Sequence, residues 1–333
     1  MRIKKTLFTA LLLAASLAVS CAVDPDEDSN AAYDHMMEAW IRVNHPGVKP
    51  YGSYGAYVLQ MNQGSGSTVP DSAYVRVHYT KRMLDGTIAD TNIKELSEQL
   101  GTYTVASCYE GNTWRLDQGY LPDALEEVIR AIRAGGQATV ALPLSASSHD
   151  YTVYDAFKSS PEANNYVYEL TVDTVINNIF QYQENQMREW FRDHYASVDT
   201  IVEHLYFKKL VETPADTDSV KEGNSVKVRY IGRLMNGQVF DTNIEDTAKF
   251  YRLWSSSGSY EALSISYYKE DKDQFDSNNS VVKGFGQAIL HMNYGETAVA
   301  LFNSSLGYGD SGSNPAIPEY SPLFFWLYIE PKN

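Results

Sequence analysis

Met37-Glu38-Ala39-Trp40 returns as Met187-Arg188-Glu189-Trp190, and the echo continues along the chain. Tyr57-Val58-Leu59-Gln60 is answered by Tyr206-Phe207-Lys208-Lys209, and Val75-Arg76-Val77-His78-Tyr79 by Val226-Lys227-Val228-Arg229-Tyr230. Asp90-Thr91-Asn92 is answered by Asp241-Thr242-Asn243. The four offsets are 150, 149, 151 and 151 residues. Separated anchors at a near-constant spacing mean a duplicated unit, and whatever architecture one copy takes the other must take too. Two units also suit 333 residues, at roughly 100–200 residues per domain.

Within each copy the periodicity changes in the same order. A helix comes first, about residues 31–45 and 180–206, with Met36, Trp40 and Val43 on one apolar face. A short strand follows, then a strand with strict alternation, Val75, Val77, Tyr79 in one copy and Val226, Val228, Tyr230 in the other. Period two puts one face on a core and the other in water. Asp85-Gly86 and Asn236-Gly237 then signal tight hairpins. A short helix comes next, in the second copy Phe285 to Tyr294, with Phe285, Ile289 and Met292 at helical spacing. Each copy closes with strands, Ala138–Leu142 and Tyr166–Val172 or Thr297–Phe302 and Leu323–Ile329. The expected class is α+β, an antiparallel sheet wrapped on one short helix, twice over. The boundaries follow as a leader over 1–20, a tether over 21–30, a helical extension over 31–66, a first domain over 67–178, a linker helix and strand over 179–217, and a second domain over 218–333.

With 44% hydrophobic residues there is material for two cores, and a net charge of −15 argues against nucleic acid, whose binding rests on Lys and Arg neutralising phosphates. Two cysteines supply neither a disulfide framework nor a zinc spacing. The seven histidines are scattered, and H-E-x-x-H, G-x-S-x-G and a dinucleotide fingerprint are all missing, so no metal or cofactor is expected. Cys108, with no histidine nearby in sequence, reads as a packed thiol.

Arg2, Lys4 and Lys5 precede an apolar run from Leu7 to Val19, too short for the ~20 residues of a membrane span and patterned as a signal peptide. The run ends Leu17-Ala18-Val19-Ser20-Cys21, which resembles a bacterial lipobox and implies lipidation of Cys21 and anchoring in the envelope membrane. Asp24-Pro25-Asp26-Glu27-Asp28 lacks the glycine and glutamate spacing of a calcium loop and reads as a solvated tether. It also resembles the surface-export signal of Bacteroidetes lipoproteins.

From Asn224 onward six separated blocks, in order, resemble the FK506-binding-protein (FKBP) family of peptidyl-prolyl isomerases. They are Val226 to Gly232, Asn236 to Asp241, Val281-Val282-Lys283-Gly284-Phe285, Met292 with Gly295-Glu296, Leu306-Gly307-Tyr308-Gly309, and Ile317-Pro318 with Leu323-Phe324-Phe325. The resemblance implies an aromatic pocket: Tyr230, Phe240 and Phe325 as walls, Phe285 as floor, Val281 and Val282 as a side, Ile317 as rim, and Asp241 and Tyr308 as polar anchors. It implies isomerisation of Xaa-Pro bonds without a cofactor, proline-containing polypeptides as substrates, FK506-like macrolides as ligands, and an N-terminal extension used for homodimerisation. Phe285 departs from the family's tryptophan, and the stretch 242–280 is longer than usual, which leaves a lid, a partner-binding flap or an elaborated helix and strand open for it. In the first copy Ala89 replaces Phe240, Leu125 takes the floor, and Ser145 to Asp150 stands where the Tyr-Gly loop would be, so that copy reads as the fold without the site. Two functions remain: a lipid-anchored isomerase, or a non-catalytic chaperone or scaffold built from the same modules.

Overall fold

The computed structural model describes residues 29–147 and 164–332, apart from 117, 118, 120, 196, 198, 215–218, 271–274, 276 and 277. The leader, Cys21 and most of the tether lie outside the described residues, as do Ser148, His149 and Asp150.

Each unit is one antiparallel sheet with a helix on each face. In the first unit α1 (Ser29–Asn44) leads into β1 (Tyr57–Asn62), β2 (Ala73–Met83) and β3 (Ile88–Thr91). There follow α2 (Lys94–Leu100), β4 (Asn112–Leu116), α3 (Asp123–Arg130), β5 (Gly136–Leu142) and β6 (Tyr166–Ile176). The strand order is β1-β5-β6-β2-β3, with β4 also paired to β2. In the second unit α4 (Ile179–His194) precedes β7 (Asp199–Val202), β8 (Leu205–Val211), β9 (Ser225–Leu234) and β10 (Val239–Thr242). Then come α5 (Glu245–Phe250), β11 (Leu263–Ser266), α6 (Lys283–Ile289), β12 (Thr297–Phe302) and β13 (Leu323–Ile329). Its order is β10-β9-β13-β12-β8-β7, with β11 paired to β9. The duplication read from the sequence is a duplication of topology.

One face of each sheet holds the main core. In the second unit Phe285, Ala288 and Ile289 of α6 pack with Val226, Val228, Ala300 and Phe302. In the first, Leu125, Val128 and Ile129 of α3 pack with Val75, Val77 and Val140. The other face is covered by the leading helix: Met187 and Phe191 of α4 bury against Val299, Leu301 and Phe324, while Met37 and Ile41 of α1 bury against Ala141 and Val167. The alternation of β9 lapses at Arg229, Tyr230 and Ile231, and the central strand β12 is buried at five consecutive positions, as a strand covered on both faces must be.

Three expectations are corrected. The buried stripe of α1 is Met37 and Ile41; Met36 and Val43 are 54% and 76% exposed, so the face carrying them points outward. The second leading helix ends at His194 rather than 206, and residues 199–211 form the β7–β8 hairpin. The stretches expected to form an extension and a linker are parts of the sheets, since β1 pairs with β5 and β8 with β12. The junction is short: β6 ends at Ile176, and α4 begins at Ile179 with the Asn178 side chain accepting from Gln181 N–H at 3.0 Å.

Stretch 242–280 resolves as an elaborated helix and strand. Its first half is α5; in its second half Ile265, Tyr267 and Phe275 belong to the core, with Tyr267 O–H donating to Leu290 C=O at 2.9 Å. Phe250, 79% exposed, stays outside.

Candidate functional site

The site is built where β9, β10, β13 and α6 meet. Phe325 of β13 lies opposite Gly232 of β9, and Asp241 of β10 lies opposite the same glycine from the other side. A Cβ on Gly232 would come within 2.7 Å of the Phe240 ring and 2.9 Å of the Phe325 ring, so the glycine lets two aromatic rings lie across the backbone. The β9–β10 pairing slips between Val239 and Asp241, and Phe240 sits in that irregularity, which turns its ring toward Phe325.

The rings interlock. Phe325 touches Phe240 at 5.7 Å and 83° between centroids and planes, Phe285 at 5.2 Å and 83°, and Tyr230 at 6.2 Å and 59°. Tyr230 meets Phe285 edge-on at 5.6 Å. Such edge-to-face contacts each contribute about 0.5–1.5 kcal/mol beyond the area they bury. Phe285 and Ile317 are buried, while Tyr230, Phe240, Val281 and Val282 are half-buried at the margin of this core. Phe302 stacks behind Phe325 at 5.8 Å and 10°, a supporting ring that the sequence reading did not single out.

The polar groups gather at the open side. Tyr230 O–H donates to Asp241 Oδ2 at 2.7 Å. Burial, and then the neighbouring Asp241 carboxylate, raise the Tyr230 pKa far above its usual value; Tyr308, 41% exposed, is raised by the same two causes. Both hydroxyls are protonated donors at neutral pH. All nine residues picked from the sequence thus belong to one region: a floor and walls of rings, an aliphatic margin, and a Tyr–Asp pair beside an exposed Tyr.

Asn243, buried and picked out only as a repeat anchor, fixes the strand that carries Tyr230. Its Oδ1 accepts from Tyr230 N–H at 2.9 Å and its Nδ2 donates to Val228 C=O at 2.8 Å. Asn92 does the same in the first unit, with Tyr79 N–H at 2.8 Å and Val77 C=O at 2.9 Å. The recurrence of Asp-Thr-Asn was the signal for this clamp.

The first unit keeps more of the arrangement than its sequence suggests. Tyr79 O–H donates to Asp90 Oδ2 at 2.6 Å, so Asp90 is the partner of a tyrosine and not merely a turn residue. Trp114 packs on Tyr79 at 5.4 Å, and Tyr168 occupies the register position of Phe325. What differs is Lys81 in place of Gly232, Ala89 in place of Phe240 and Leu125 in place of Phe285. The first unit instead holds a cleft of about 590 Å³, lined by Tyr79, Asp90 and Trp114 and bordered by Asn314, Pro315 and Glu319 of the second unit.

Residues 216–329 match the family model for the FKBP-type peptidyl-prolyl cis-trans isomerase. The second unit matches the FKBP family over almost its whole length. FK506-binding protein 2 of Dictyostelium discoideum is 30% identical over 109 residues, 33% of this chain and 65% of that protein. A probable FKBP-type peptidyl-prolyl cis-trans isomerase of Haemophilus influenzae is 26% identical over 157 residues, 45% of this chain and 54% of that protein. FK506-binding protein 1A of Aspergillus fumigatus is 28% identical over 118 residues, covering 35% of this chain and 86% of that one. The chain thus spans between about half and two thirds of the first two relatives' length. The first unit repeats the FKBP-like fold, and the chain is a tandem α+β protein of two such units.

Proposed function

We propose that the second unit catalyses cis–trans isomerisation of Xaa-Pro bonds in polypeptides. The observation that carries this reading is the convergence of Tyr230, Phe240, Phe285 and Phe325 on one another beside the Tyr230–Asp241 pair and the exposed Tyr308, inside a unit that matches the FKBP family.

The chemistry asked of such a site is modest in kind. Rotation about a peptide bond faces ~18–20 kcal/mol because the C–N bond has partial double-bond character, and Xaa-Pro isomerisation takes tens to hundreds of seconds unaided. No bond is made or broken, so neither a nucleophile nor a proton relay is required. The twisted imide has lost its resonance and is less polar than either planar form, so walls of rings favour it over a hydrated ground state. In this reading the proline ring lies on Phe285 between Tyr230, Phe240 and Phe325. Val281, Val282 and Ile317 close the sides. Tyr308 donates to a substrate carbonyl, and Asp241, held by the Tyr230 hydroxyl, keeps the polar edge oriented. FK506-like macrolides, which present a proline-like ring, would compete for the same concavity.

The charged and apolar leader followed by Cys21 supports a lipid-anchored protein of the bacterial envelope, with folding envelope proteins as substrates. The deciding experiment follows NMR exchange of a proline tetrapeptide with residues 22–333. Acceleration by the wild type that Asp241→Ala/Tyr308→Phe abolishes is the expected result. No acceleration above buffer at high protein concentration would sink the isomerase for this peptide and leave the chaperone or scaffold reading.

A further inference from the structure

Two hydrogen-bonded contacts join the first unit to the second beside residues of the candidate site. Residues 101–111, between α2 and β4, lie along this seam. From the second unit's β9–β10 turn, Gln238 Nε2 donates to Ser107 C=O at 2.9 Å and to Val105 C=O at 3.3 Å. One residue further on, Cys108 N–H donates to Pro315 C=O at 2.9 Å. Gln238 stands two positions before Phe240, a wall of the site; Pro315 stands two positions before Ile317, its rim. Cys108 itself packs against the second unit's core. Residues 105–108 of the first unit therefore bond both to a residue beside the Phe240 wall and to a residue beside the Ile317 rim.

The rim that Pro315 belongs to is cross-linked by main-chain hydrogen bonds. Gly312 N–H donates to Tyr308 C=O at 3.2 Å, Ser313 and Ile317 exchange hydrogen bonds at 2.7 and 2.9 Å, and Tyr320 N–H donates to Gly309 C=O at 2.8 Å. Glycine is required at 312, where a Cβ would meet Ile317 C=O at 2.5 Å and φ is +61°. Pro315 is thus linked through this hydrogen-bonded loop to Tyr308 and Ile317. A second contact holds the base of this rim. Tyr74 of the first unit meets Tyr320 edge-on at 4.9 Å, and Tyr320 packs with Ile176 and Ile179 across the short junction.

We propose that the first unit is a strut for the second unit's site: residues 105–108 tie Gln238 to Pro315 and thereby set the spacing between the Phe240 wall and the Ile317–Tyr308 rim. Gln238 is then a positioning residue. Its side chain reaches the first unit and serves the site only through the wall and rim it joins. The inference rests on the prolyl-peptide reading of that site, and it gives the first unit a task that needs no ligand of its own.

The test uses residues 22–333 carrying Gln238→Ala, Gln238→Glu, which keeps the shape but presents no donor when ionised, or Gln238→Lys, which keeps a donor. Two readouts are taken: hydrogen exchange at the Ile317 and Tyr320 amides, and NMR titration with the proline tetrapeptide. Loss of the two neutral hydrogen bonds is expected to speed that exchange and weaken the peptide roughly fivefold in the Ala and Glu variants. The Lys variant is expected to stay near wild type, which a merely bulk-structural role for Gln238 would not produce. Exchange at Ile317 and Tyr320 identical to wild type in the Ala and Glu variants would overturn the strut. Peptide affinity unchanged while exchange accelerates would overturn it too, since the rim would then move without consequence for the site. Should wild type neither bind nor isomerise the peptide while Gln238 still governs exchange across the rim, the mechanical tie stands and the isomerase reading falls.

Discussion

The two Tyr–Asp sites share a backbone and a polar pair, and differ in what lines them. Tyr79–Asp90 and Tyr230–Asp241 are hydrogen-bonded at 2.6 and 2.7 Å, and Asn92 and Asn243 clamp the same two backbone groups beneath them. Yet the first site carries Lys81, Ala89 and Leu125 where the second carries Gly232, Phe240 and Phe285. The Asn clamp belongs to the fold, because it satisfies a strand N–H and C=O that the turn leaves without ladder partners. The ring lining is an addition that the fold does not need. Lys81 also accounts for its own neighbourhood: its ammonium lies 3.9 Å from the centre of the Tyr166 ring, a cation–π contact that a glycine at this position could not make. The Tyr–Asp pair is thus common to both units, whereas the glycine opposite Phe325 belongs to the second alone.

If the clamp is common property, removing it must damage both units alike. Asn92→Ala and Asn243→Ala each leave a buried strand N–H and C=O unsatisfied, at an expected cost of about 3 kcal/mol. Thermal and urea unfolding of the two variants should show matching losses. A loss confined to Asn243→Ala would break the equivalence and make the asparagine part of the site rather than of the fold.

The next substitution should separate the units instead. In Gly232→Ala the new methyl carbon meets two rings below 3.0 Å, and neither ring is the free end of a flexible chain. Overpacking of this kind costs about 1–3 kcal/mol and pushes Phe240 out of line, so the tetrapeptide should bind more weakly as well. Lys81→Gly at the matching position forfeits a cation–π contact and stiffens nothing, about 1 kcal/mol, with no change in peptide binding. Equal effects of the two changes on the tetrapeptide titration would mean that both units receive it.

Much of this was legible in the chain. The repeat anchors set the two-unit architecture; the helix expected over Phe285–Tyr294 ends at Ile289, so Phe285 and Ile289 share its buried face while Met292, also buried, lies beyond it. The nine residues picked from short blocks come from different elements, Tyr230 from inside β9, Phe325 from inside β13 and Phe285 from the first turn of α6. What failed did so for identifiable reasons. In α1 the helical period admits two stripes, Met36–Trp40–Val43 and Met37–Ile41, and only contact with Tyr57, Ala141 and Val167 selects the second. The β7–β8 hairpin escaped notice because its turn has neither glycine nor proline. His204 takes φ of +71° there, and its Nδ1 lies 2.6 Å from Glu184 Oε1. The seam between the units was beyond reach, since it joins a side-chain amide to two main-chain carbonyls more than 130 residues away, and carbonyls have no signature in sequence.

The smallest expected difference concerns pH, and it tests whether the two Tyr–Asp pairs are as alike as their geometry. Burial raises the pKa of both Tyr79 and Tyr230; after burial the hydrogen bond and charge of the aspartate add to it, Asp90 in one case and Asp241 in the other. In the unfolded chain a tyrosine ionises near pH 10. Below that pH both states are protonated and the full contribution to stability is present. Above it the unfolded chain sheds a proton that the native one keeps, so stability falls as pH rises. Tyr267, pushed up to about 12 chiefly by burial, adds to the same alkaline loss. Melting temperatures between about pH 9 and 11.5 should therefore decline for the wild type, and decline less steeply for Tyr79→Phe and for Tyr230→Phe. Each replacement frees an aspartate that already faces water, so neither should lower stability much at pH 7. Flattening by one and not the other would show that only that pair is held in the geometry described, and would place the difference between the sites beneath their lining, in the pair itself.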